Sequence, residues 1–164
     1  MKKLFCVMVC LLLAGMLLSC NGSKDPSKTA EPVLQGVGIY VNGSTEYKIV
    51  RGQRSSKEVK WLMVELWEAM KGQLGEAPIV GDDWVKDESE LQEDACEILL
   101  GDTNRPESAK LKESLPNDES YVIAVKGKRV YIVAANDRVL NDAVSVFIEE
   151  IVRKHDQNGN LILS

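Results

Sequence analysis

Two short apolar runs end on glycine followed by aspartate. Ile79-Val80-Gly81-Asp82 continues into Asp83, and Glu97-Ile98-Leu99-Leu100-Gly101 continues into Asp102. If both runs are parallel strands, Asp82, Asp83 and Asp102 share one end of a sheet. Two carboxylates held in different environments across a bond are what glycoside hydrolysis needs. Aspartate after glycine also has a plainer use, because its side chain hydrogen-bonds the local backbone. That turn chemistry is the expected role here. The most distinctive loop starts at Gly101. Its Asp102, Thr103, Asn104, Arg105 and Glu107 form a set able to take sugar hydroxyls or a carboxylate, and are the candidate binding residues. The same stretch would serve equally as a structured turn packed on a partner.

The other reactive side chains offer less. His155 is the sole histidine and lies among Arg153, Lys154 and Asp156, the composition of a solvated helix end. A serine triad would have to use it as the base. Cys96 opens the apolar run before Gly101 and reads as a buried, inert thiol rather than a nucleophile. The sequence has no HExxH, CxxC, EF-hand loop, GxSxG elbow, P-loop or GxGxxG. No catalytic residue, metal ligand or cofactor is therefore assigned.

Composition narrows the partners. Of 164 residues, 45% are hydrophobic and 27% charged, as in an ordinary globular protein. The net charge of −5 argues against nucleic acid, which selects a basic face.

The elements that must position these residues show clear periodicity. Tyr47–Val50 is a strand candidate. Ser55-x-x-Glu58 is a candidate capping box. Val59, Leu62, Met63, Leu66, Trp67, Met70 and Leu74 then recur at helical spacing, with Gly75 as the stop. The glycine-ended runs give two more strands. Tyr121–Val125 and Arg129–Val133 flank Lys126-Gly127-Lys128 and predict a hairpin. Asn136 or Asp137 caps a second helix, whose buried stripe runs from Leu140 to Val152. Leu161–Leu163 is a final strand or a frayed end. The expected fold is α+β: a mixed β-sheet of four to five strands, with two amphipathic helices packed on one face.

The N-terminus reads as an address. Lys2 and Lys3 precede an apolar run, Leu4–Leu18, which is short for a membrane span. Leu17-Leu18-Ser19-Cys20 resembles a bacterial lipobox. That resemblance implies a signal peptide over 1–19, diacylation of the Cys20 sulfur and acylation, palmitate for example, of the new amino group. Two or three chains anchor a protein stably where one does not. Residues 20–45 are read as the lipidated cysteine and a flexible linker, and 46–164 as the folded domain. Asn21 after Cys20 resembles default outer-membrane sorting in Gram-negative cells. The expected site is the extracytoplasmic side of the cell envelope, held by the lipid.

Glu97–Ser108 followed by Ser120–Ile151 resembles the N-terminal accessory domain of α-glucuronidases and β-hexosaminidases. Tyr47–Leu74 is similar to that family's first strand and long helix. Ala134-Ala135-Asn136-Asp137 replaces the family's usual glycine-rich turn. The resemblance implies a sheet covered by helices on one side. It also implies that catalysis belongs to a barrel following this domain, and the chain reaches Ser164 where that connection would begin. The expectation is a non-catalytic module in glycan processing, with a glycosidase or a glycan as partner. A small carboxylate-dependent hydrolase and a truncated remnant of a larger glycosidase are the alternatives. Tyr40 and Trp84 are further candidates for a partner surface, although Trp84 is expected to cap the core.

Overall fold

The structure is a computed structural model and describes residues 36–163. The expected signal peptide, the lipidation at Cys20 and most of the expected linker lie outside the described residues.

A five-stranded sheet carries the fold. Its strands are β2 (Lys48–Arg51), β3 (Ile79–Asp82), β4 (Glu97–Leu100), β5 (Tyr121–Lys126) and β6 (Arg129–Ala134), in the order β3-β2-β4-β6-β5. β3, β2, β4 and β6 are parallel and β5 is antiparallel to β6. Alternation along the strands divides the core in two. Ile49, Ile98, Leu100, Val130 and Ile132 point to one face, where α1 (Lys57–Leu74) and α3 (Asp137–Glu150) cover them. Val50, Leu99, Tyr131 and Val133 point to the other. Strands buried on both faces read as continuous apolar runs, which is why β4 and β6 look as they do in the sequence.

The helix signals hold with one shift. The N-cap of α1 is Ser56, whose hydroxyl accepts from Val59 N–H. Ser55, the expected cap, instead donates its hydroxyl to Gly52 C=O. Gly75 ends the helix with φ +85°, a conformation that favours glycine. Asn136 caps α3 through Val139 N–H.

Two features depart from expectation. A third helix, α2 (Pro106–Glu113), follows β4 and packs on the second face through Leu111. Its other residues are mostly polar, so it carries no apolar stripe for a periodicity reading to find. The expected linker to residue 45 is also too long. Val37–Tyr40 form β1, which pairs antiparallel with β7 (Leu161–Leu163). Ile39 and Tyr40 are buried in the main core. Their partners lie more than a hundred residues away, beyond the reach of any local signal. Tyr40 is thereby a core residue and not a partner-surface candidate.

Candidate functional site

The parallel register brings the glycine-ended strands together. β3 and β4 flank β2, so the segments following Arg51, Asp82 and Leu100 emerge side by side. Gly52 sits at the closest approach: a Cβ there would lie 2.2 Å from Asp102 C=O. Only glycine lets these loops pass at that distance.

Asp83 ties the three loops together and is buried, as its exposure of 7% shows. Its Oδ1 accepts from Gln53 N–H at 2.7 Å and its Oδ2 from Asn104 N–H at 2.6 Å. Asn104 Nδ2 donates back to Asp83 C=O at 2.6 Å. Asp82 Oδ1 accepts from Trp84 N–H at 3.2 Å, and its Oδ2 lies 3.9 Å from the Arg51 guanidinium. Asp102 pairs with Lys112 Nζ at 2.5 Å on the surface. The three aspartates therefore share one end of the sheet, each with its own structural partner.

A cleft of about 550 Å³ opens beside this staple. Its walls are the loop after β2, Asp83 to Val85 after β3, Gly101, Asp102 and Asn104 after β4, and the first turns of α1 and α3. Lys112 of α2 completes it. Trp84 lines the cleft and is 61% exposed, so it does not cap the core as expected.

The structure divides the expected binding loop. Asp102 and Asn104 reach the cleft, and Thr103, Arg105 and Glu107 do not line it. Thr103 Oγ1 bonds Ser108 Oγ at 2.6 Å across the start of α2. Glu107 pairs with Lys110 along that helix at 3.4 Å. Arg105 is buried and clamps Glu97, Nη2 to Oε1 at 2.5 Å and Nε to Oε2 at 3.0 Å. Arg129 Nε donates to the same Glu97 Oε2 at 2.7 Å. Burial pushes the Glu97 carboxyl up, but the hydrogen bonds and charges of Arg105 and Arg129 outweigh it and hold it below its usual range. This triad docks α2 on the sheet, and Arg105 belongs to it rather than to a binding surface.

Other cleft residues were not legible as site residues. Gln53 and Arg54 lie between a strand and a helix cap, and Asn136 reads first as an N-cap. Gly52 at the end of β2 was the available signal, because it marks a close backbone approach. His155 lies after α3 with Nδ1 3.3 Å from Val152 C=O, outside the cleft. Cys96 is half-buried.

Among proteins of known sequence, no family model and no curated protein matches the chain. Among solved structures, CpGH84D is similar at 15% identity and a TM-score of 0.47, over 80% of this chain and 20% of that one. A GH138 enzyme targeting pectin rhamnogalacturonan II is similar at 18% identity and a TM-score of 0.39, over 63% of this chain and 13% of that one. The chain thus spans a fifth or less of either glycoside hydrolase.

Proposed function

We propose that this chain is a lipid-anchored, non-catalytic module of a glycan-processing system at the bacterial cell envelope, and that it works by binding. The observation that carries the reading is the engagement of the clustered aspartates. A glycosidase sets two carboxyl groups across a scissile bond, one as acid and one as nucleophile or base. Here Asp83 spends both oxygens on backbone N–H groups, Asp82 accepts from the chain beside Trp84, and Asp102 pairs with Lys112. Buried Asp83 used this way ties the three loops into one wall. The lipobox-like Leu17–Cys20 supports the anchor, and the accessory-domain resemblance supports the glycan context.

Two measurements test this. The tagged chain expressed in a bacterial host should fractionate with membranes, and Cys20→Ala should release it. The purified protein should leave aryl glycosides intact. Turnover that disappears on Asp102→Asn or Asp82→Asn would replace the binding role with the hydrolase reading.

A further inference from the structure

We propose that the cleft at the carboxyl ends of β2, β3, β4 and β6 is a binding site for a neutral saccharide, with the Trp84 indole as its stacking face. The inference rests on the reading that the chain works by binding, and it names the ligand class for that role.

Topology opens the cleft. β2 is followed by α1 on one face of the sheet, and β4 by α2 on the other. Where neighbouring parallel strands send their connections to opposite faces, their loops diverge and leave a crevice at the carboxyl ends. At about 550 Å³ the crevice falls in the size range of small-ligand sites.

The chemistry of the walls selects the ligand. Trp84 presents an exposed indole from a fixed backbone, since its N–H bonds Asp82 and the preceding Asp83 is locked between two loops. An exposed aromatic plane suits a ligand with an apolar face and a polar rim. Asn104 and Asn136 are occupied: the first bonds Asp83, and the second caps α3 and reaches Asp118 C=O. Gln53, Arg54 and Asp137, with the one Asp102 oxygen that Lys112 does not take, are left to offer an amide, a guanidinium and carboxylate oxygens to the cleft. That mixture of donors and acceptors matches hydroxyl groups, each of which donates and accepts. Charge decides against acidic sugars and phosphates. Arg54 and Lys112 face Asp83, Asp102 and Asp137, and Lys112 is already paired with Asp102. The polar walls equally disfavour a wholly apolar guest.

The test is a glycan array carrying neutral and uronate-containing oligosaccharides, probed with the full chain in a detergent that contains no sugar. A neutral hit is then titrated by intrinsic tryptophan fluorescence. The expected result is binding of a neutral oligosaccharide that weakens at least tenfold in Trp84→Ala and in Asp102→Asn. Trp61→Ala removes an equally exposed indole on α1, outside the cleft, and is expected to leave binding unchanged. Circular dichroism and thermal melting confirm that the variants fold. Silence across the neutral glycans overturns the proposal. So does a preference for uronates, or neutral-glycan binding that survives both cleft substitutions. These outcomes leave the non-catalytic module reading in place, which has its own tests in membrane fractionation and aryl-glycoside turnover.

Discussion

Asp83 and Asn104 hold each other in both directions. The Asp83 carboxylate accepts the Asn104 backbone N–H, and the Asn104 side-chain amide donates to the Asp83 backbone C=O, each at 2.6 Å. The loop after β3 is thereby fixed to the loop after β4. The second Asp83 oxygen fixes the loop after β2 through Gln53 N–H.

Removing this staple strands two backbone donors beside a buried position. An unsatisfied buried donor costs about 1–3 kcal/mol. Asp83→Ala is expected to destabilise the fold by about 2–5 kcal/mol, read from the urea midpoint at unchanged slope. Asp82→Ala loses only a part-exposed contact and should cost under about 1 kcal/mol.

Gly52→Ala forces a Cβ to within 2.2 Å of Asp102 C=O. That atom is backbone, so the loops must separate. Overpacking of this kind costs about 1–3 kcal/mol. A lower melting temperature with altered Trp84 fluorescence is expected. An unchanged melt would mean that the loops part freely.

Glu97 sets an acid limit. Its folded carboxyl titrates below the unfolded one, so its contribution is complete above the ordinary glutamate range. The contribution is lost as pH falls through the lower folded value. Glu97→Gln leaves Arg105 buried without its counter-charge, and breaking such a pair costs about 3–5 kcal/mol. At neutral pH the variant should be less stable by that amount, and its stability should fall less between neutral and acid. Denaturant melts across pH measure both.

Tyr47 sets an alkaline one. Burial, and then the nearby Cys96, push its phenol up to about 12. Stability from the neutral phenol is full below the ordinary tyrosine value of about 10. It is lost as pH rises toward 12. Burial also raises the phenols of Tyr40 and Tyr131, so spectrophotometric titration should show several late phenols and one fewer in Tyr47→Phe.

The domain boundary is directly testable. A chain starting at residue 46 lacks β1, leaves β7 unpaired and loses buried Ile39 and Tyr40. Each large apolar side chain buried is worth about 1.5–3 kcal/mol. Loss of both approaches the net stability of a small domain. A chain starting at residue 34 should melt cooperatively and the shorter one should not.

The local elements were legible in the chain itself. Apolar residues at helical spacing set α1 and α3, continuous apolar runs set β4 and β6, and Gly127 set the hairpin between β5 and β6. These signals suffice because each lies within one element and repeats along it. They also placed Asp102 and Asn104 together in the loop after β4. The rest came from packing. It paired β1 with β7, an association between the two ends of the domain that no local pattern encodes. It turned Arg105 inward onto Glu97, a carboxylate on β4 that it shares with Arg129 of the neighbouring β6, and that adjacency depends on register. It gathered Gln53, Arg54, Trp84 and Asp137 around one cleft, because parallel strands deliver distant segments to a common end. Contacts of that kind arise from packing and closure, and a linear reading sees only their separate parts.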